Sequence, residues 1–465
     1  MTRFHVKHIL TAAALSLALI GVIAGCAKIK PITQPASGWG TANFSTYVAM
    51  GTSLTAGLES GGLVQRHQFL AFPYLFAHQV GTFQFTIPNV NLDGWPPLLR
   101  LKSLGPPLVV DTVGARRGAW INIAQPTPYH NLGVPGALLA DVQDVNLNYN
   151  PTLGRDASFF NNILRQGQQT IPLSMLQLAT AKRPTFITFE FGSNELLGAA
   201  VRGSGTPLVP VPVWQFLLHQ TLDSLDFYNP AAKKVIANIP DVTTIPFFRT
   251  LPIVELTRDQ QPQVGPGGPK FLIGPGGVLL TPGDYVTLTA GDSLALGVGY
   301  AVGDTSYMSG FAIPGNGRPL PDNLVLSASE ASSIVAATAA YNGAVASEAA
   351  ARGYGVLDLH KTLSDIFLYG YDFAGVHYSS AYITGGLFSL DGVHPNDLGY
   401  SIVANALIDV VNTKWGAQIP PLDVSKSLTS TSSRLTPARG TNALNLPTSG
   451  EAIASPIRSL SVRSW

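Results

Sequence analysis

The sequence predicts an α/β fold wound around a parallel sheet, and three observations carry that prediction. Short apolar runs of strand length recur at residues 47–50, 185–191, 235–239 and 355–359. Their near-continuous apolarity suits strands buried on both faces. Between them lie stretches whose composition and apolar spacing favour helix, and strand alternating with helix reads as a doubly wound layer. The 465 residues carry only 12% charged side chains, about half the usual quarter, together with 47 Gly and 35 Pro. A neutral, loop-rich surface is therefore expected, on a chain longer than the roughly 100 to 200 residues of a single minimal domain.

In chain order, residues 1–25 open with Arg3, Lys7 and two histidines, continue through the apolar run 9–23, and close on small residues before Cys26. Such a segment is an export leader and not part of the fold. The run is shorter than the ~20 apolar residues of a membrane-spanning helix. Ile23-Ala24-Gly25-Cys26 resembles the bacterial lipoprotein cleavage box, which implies that Cys26 becomes the N-terminus and carries acyl chains that anchor the protein in a membrane. Ala27 in place of Asp implies the outer membrane of a Gram-negative cell. Cys26 is the only cysteine, so disulfides, zinc knuckles and thiol catalysis are excluded from the mature domain. Residues 26–40, rich in Pro and small polar side chains, read as a tether.

The first strand is 47–50. Helices are expected at 72–80, around 174–180, at 328–352 where Ala dominates, and at 396–415, with Asn396 or Asp397 as cap. Three segments break the rhythm: 82–128 and 251–322, crowded with Gly and Pro, and the aromatic stretch 361–390. They read as β-rich insertions or long loops. One domain then covers 41–415, and 416–465, rich in Ser, Thr, Pro and Asn, is expected to remain disordered. With 28 basic and 27 acidic residues the net charge is +1. There is no basic field for a nucleic-acid partner.

The chemistry concentrates in four places. Straight after the first strand comes Gly51-Thr52-Ser53-Leu54-Thr55-Ala56-Gly57. A serine at a strand-to-helix turn stands at the carboxyl edge of a parallel sheet, where α/β folds bind ligands. Taken alone it is equally a turn residue, and Thr55 stands where the G-x-S-x-G elbow needs glycine. Ser389-Leu390-Asp391-Gly392-Val393-His394-Pro395 places a carboxylate three residues before a histidine. A serine nucleophile needs an imidazole to take its proton and an anion to orient that imidazole; the plain alternative is a surface histidine beside a helix cap. Between them lie Asn131-Leu132-Gly133-Val134-Pro135-Gly136 and Phe191-Gly192-Ser193-Asn194-Glu195. The N–H groups of Ser53 and Gly133 and the Asn194 amide would make three donors to an oxyanion, although a turn glycine and a strand-end cap are as natural singly.

Taken as an ordered set, Ser53, Gly133, Asn194 and the pair Asp391/His394 resemble the four blocks of the SGNH, or GDSL, esterase and lipase family. The likeness extends to 236–240 and 356–358, similar to that family's later strands, and covers most of 44–415. It implies a flavodoxin-like three-layer α/β/α fold and ester hydrolysis without a cofactor, with Ser53 as nucleophile, His394 as base, Asp391 orienting His394, and Ser53, Gly133 and Asn194 as oxyanion donors. Thr52 departs from the family's Gly-Asp-Ser-Leu, where the Asp is mainly structural. The literal Gly291-Asp292-Ser293-Leu294 is rejected, since it follows the Gly133 and Asn194 blocks and has no buried strand before it. His67, His78, His130, His219, His360 and His377 show neither a metal-ligand spacing nor a clustered ligand set, so no metal is expected. The implied partner is a small-molecule or lipid ester, with the membrane engaged through Cys26; oligomeric state is left open. A ligand- or partner-binding lipoprotein on the same fold, or an assembly factor with a vestigial site, is the alternative.

Overall fold

The computed structural model describes residues 38–429 apart from 104–108, 113–116, 126–127, 144–156, 166–172, 204–206 and 309. The leader, Cys26 and the tether as far as 37 lie outside the described residues. The core is a five-stranded parallel sheet of β1 (Tyr47–Gly51), β2 (Asn131–Gly133), β3 (Phe186–Phe189), β4 (Lys233–Ala237) and β5 (Gly355–Leu357), in the order β2-β1-β3-β4-β5. That is the flavodoxin-like order, whose direction of winding reverses between β1 and β3. Every residue of β1 and β3 is buried, as their continuous apolarity requires.

Helices cover both faces: α1 (Ser53–Ala56), α2 (Phe72–Gln79), α3 (Met175–Ala181), α4 (Ser193–Arg202), α5 (Val211–Tyr228), α6 (Ala328–Arg352), α7 (Leu359–Tyr369) and α8 (Asp397–Trp415). Helices α2 and α8 pack together on one side, with α7 beside α8. On the other, α6 packs on α4 and α5, and α3 on α5. The rings of Trp214 and Tyr341 stack 4.2 Å apart across the α5–α6 contact. Helix α6 starts from a capping box of Ser327 and Glu330, and α8 from Asn396, whose side chain accepts the Gly399 N–H.

The irregular segments differ from expectation in three respects. Residues 359–369 are helical, with Leu359, Leu363 and Ile366 at one-turn spacing buried beneath exposed Leu368 and Tyr369; only the following hairpin, Tyr371–Phe373 with Val376–Tyr378, is β. The segment 251–326 closes a second, smaller core around Leu272, Leu294, Tyr300, Met308 and Leu320. Its strands form two short hairpins and one two-residue antiparallel pair, Tyr285–Val286 with Val325–Leu326, and Leu288–Ala290 is a helical turn within this segment. Lastly, residues 416–429 are ordered against α8. Asn412 and Asn405 bond the backbone of Ile419 and Leu422, and Ala417, Ile419 and Val424 are buried. The segment's backbone groups are met by asparagines on the helix and its few apolar side chains are buried; residues beyond 429 lie outside the described ones.

Candidate active site

The carboxyl ends of β1, β2 and β3 bring the four sequence blocks together. β1 ends at Gly51, and Ser53 opens α1 immediately beyond it. The loop into α8 carries Asp391 and His394 to the same edge. His394 Nε2 lies 2.8 Å from Ser53 Oγ, and His394 Nδ1 lies 3.0 Å from Asp391 Oδ2. The hydroxyl and imidazole are 341 residues apart in sequence yet in hydrogen-bond contact. Ser53 is 6% exposed and His394 4%, so bulk water has little access to the pair.

Asp391 is fully buried, and burial pushes its carboxyl up. The electrostatic attraction and Nδ1–H of His394, with the backbone N–H groups of His394 and Val393, more than offset this and hold it below the usual carboxylate range. Gly61 N–H adds a bond to Oδ2 at 2.9 Å. An anion here can only accept, so the Asp391 contact puts the imidazole proton on Nδ1 and leaves Nε2 to accept from Ser53.

The turn that presents Ser53 is held by Glu190, which the sequence reading passed over. Its buried carboxylate takes the Thr52 N–H at 3.0 Å, the Thr52 hydroxyl at 2.9 and 3.0 Å, and the Thr55 hydroxyl at 3.0 Å. Burial pushes Glu190 up to about 6 against these bonds. Thr52 thus occupies the family's Asp position as a donor, with the carboxylate supplied from the end of β3.

Asn194, in the first turn of α4, donates one amide N–H to Ala137 O at 2.8 Å, leaving its second for a ligand. Glu195 beside it accepts the Leu139 N–H at 2.8 Å. Burial pushes Glu195 up to about 7; the Leu139 bond opposes this and nearby Asp141 adds to it.

Gly133 departs from expectation. Its N–H is taken by Asn131 Oδ1 at 2.8 Å, and a Cβ there would sit 2.4 Å from the Ala56 backbone nitrogen. It is glycine because β2 runs directly against α1. Three residues on, Val134-Pro135-Gly136-Ala137 forms a turn closed by Ala137 N–H to Val134 O at 3.0 Å, with Gly136 at φ +77°, the Pro-Gly pattern of a type II turn. The N–H groups of Ser53 and Gly136 make no hydrogen bond among the described residues. The signal in the sequence was Pro135-Gly136 itself.

Ser293 has no hydrogen bond to Ser53, Asp391 or His394 among the described residues. It lies in the helical turn Gly291–Ala295, whose Leu294 belongs to the insertion's own core. Contrary to expectation, one histidine does sit in a ligand-like cluster: His67 with Glu59 and Asp397, all buried. No helix of the described residues is long and apolar enough to cross a membrane.

The model of the GDSL-like Lipase/Acylhydrolase family matches residues 47–407. The chain belongs to that family and is a hydrolase acting on esters. No curated protein matches it in sequence. Solved structures similar to it include an extracellular lipase from Streptomyces rimosus, at 13% identity over 79% of this chain and 99% of that one, with a TM-score of 0.31. A family 3 carbohydrate esterase of Clostridium thermocellum is similar at 14% identity over 80% and 98%, TM-score 0.30. Phospholipase A1 of Streptomyces albidoflavus NA297 is similar at 14% identity over 79% and 98%, TM-score 0.31.

Proposed function

We propose that the protein is a serine esterase or lipase that cleaves carboxylic esters, of lipid, aryl or sugar O-acyl type, through an acyl-enzyme on Ser53. The observation that carries this reading is the unbroken chain Ser53 Oγ, His394 Nε2, His394 Nδ1, Asp391 Oδ2, at 2.8 and 3.0 Å. Ser53 Oγ attacks the carbonyl carbon while its proton passes to His394 Nε2, and Asp391 stabilises the imidazolium. The carbonyl oxygen, now anionic, takes the Ser53 N–H and the free Asn194 N–H. The third donor we assign to Gly136 in place of Gly133, because the Gly133 N–H is already spent on Asn131. Collapse expels the alcohol, which takes the proton from His394. Water, activated in turn by His394, then releases the acid and restores Ser53. No step draws on a cofactor.

On a short-chain aryl ester, Ser53→Ala should lose nearly all turnover and Ser293→Ala none; the reverse pattern would overturn the assignment. Asn194→Ala should lower kcat by about 10² to 10³, the usual loss for one oxyanion donor.

We propose in addition that the protein is exported and held at the outer membrane by acyl chains on Cys26, on the strength of the box Ile23-Ala24-Gly25-Cys26. Metabolic labelling with a palmitate analogue should mark the wild type and not Cys26→Ser.

A further inference from the structure

Behind the reacting residues lies a second histidine–carboxylate group that the proposed chemistry leaves unused. His67 Nδ1 is 2.8 Å from Asp397 Oδ1 and 3.3 Å from Glu59 Oε2, and all three side chains are buried. Their ligand-capable atoms lie within 4.8 Å of one another, the spacing of a cation site. Arg66 decides against a cation. Its Nε–H donates to His67 Nε2 at 3.1 Å, so Nε2 carries the lone pair and the ring proton sits on Nδ1, between the two carboxylates. A nitrogen in that state has nothing to offer a metal.

The two carboxylates belong to the two segments that build the acid arm of the site. Glu59 is followed by Ser60 and Gly61, whose N–H groups donate to Ser389 Oγ and Asp391 Oδ2, each at 2.9 Å. Asp397 opens α8, three residues after His394. The segments are therefore joined twice: directly at Ser389 and Asp391, and again through His67. The joined turn is a strained one, with Ser60 at φ +53°, and it is pinned on its flanks by Tyr400 Oη–H to Leu58 O and Leu99 N–H to Ser60 O.

Resting on the esterase reading above, we infer that His67, clasped between Glu59 and Asp397, is a positioning residue that keeps the Gly61 N–H on Asp391 and so keeps that carboxylate aimed at His394. It touches neither substrate nor the reacting atoms. Its removal lets the 59–62 turn drift, and the acid arm with it, while the oxyanion donors and the substrate-binding surface stay in place.

The experiment compares His67→Leu, His67→Asn and Asp397→Ala with the wild-type full chain. It measures kcat and KM on a short-chain aryl ester and amide exchange across 59–62. His67→Leu should lower kcat about 10- to 100-fold, the range an ångström-scale misplacement produces, with KM within about two-fold and faster exchange at 59–62. His67→Asn, whose amide N–H replaces Nδ1–H, should recover most of the loss. Asp397→Ala cuts the link from the other segment and should reproduce the kcat loss even if the leucine variant fails to fold. Unchanged kcat, equal losses in the leucine and asparagine variants, or a stoichiometric divalent ion bound to the wild type and absent from His67→Leu would each overturn the inference. Exchange at 59–62 does not depend on turnover, so an inactive wild type would sink the esterase reading while the clamp is still judged by its amides.

Discussion

A methyl group on Gly133 would collide with the Ala56 nitrogen at 2.4 Å and the Thr55 carbonyl carbon at 2.7 Å, backbone atoms that cannot rotate away. Gly133→Ala should therefore destabilise the fold by about 3 kcal/mol, the upper range for overpacking, as read from the urea midpoint. Glu195 behaves differently because its carboxyl is raised from an ordinary value of 4.5 to about 7. The folded state binds a proton that the unfolded state has released, so stability falls as pH rises through that window. Glu195→Gln keeps an acceptor for the Leu139 N–H and removes the charge. Relative to wild type it should leave stability at pH 4 nearly unchanged and raise it at pH 8 by about 3 kcal/mol, at about 1.4 kcal/mol per pH unit; equal effects at both pH values would contradict this. Asp391 has the opposite sign. Its folded form is held low, so its contribution is present above the ordinary carboxylate range and lost as pH falls below it. Ser53 and Asn194 were legible because each sits in a short motif beside a strand end, and Asp391 and His394 because they share a short motif ahead of α8. Their supports were not: Glu190 meets Thr52 across 138 residues and Glu195 meets Leu139 across 56. No local pattern announces such a pairing.

Among the elements, the long Ala-rich helix α6 and the capped α8 were readable because composition, period and cap agree over many turns. Helix α5 was not, although Trp214, Leu218, Leu222 and Leu225 are buried along one side. Pro210 and Pro212 mark a loop in sequence terms, while in the structure Pro212 lies in the first turn, where its missing N–H costs nothing. The short β2 was likewise hidden, three residues being too few for a periodic signal. The stretch after α8 was misread because its Ser, Thr and Asn content hides Ala417, Ile419 and Val424, which bury against the helix. Ending the chain after Gly416 should lower stability by about 3 to 5 kcal/mol from the lost apolar burial and lower the melting temperature.

At the scale of the whole molecule, the strand order β2-β1-β3-β4-β5 places its reversal between β1 and β3, and the three blocks that follow β1, β2 and β3 converge there. The carboxyl edge of the sheet is thus the reactive edge. The entry of the chain lies at the other one. Residues 38–41 bond to Trp415 and Gln418 at the far end of α8, where Trp415 packs on Phe186, the first residue of β3. The 19 residues of α8 span about 28 Å, and that is the depth of protein standing between the two edges. An acyl chain on Cys26, as proposed above, would thus join the fold at the edge opposite the reactive one, like a mooring line made fast to the stern with the working face at the bow.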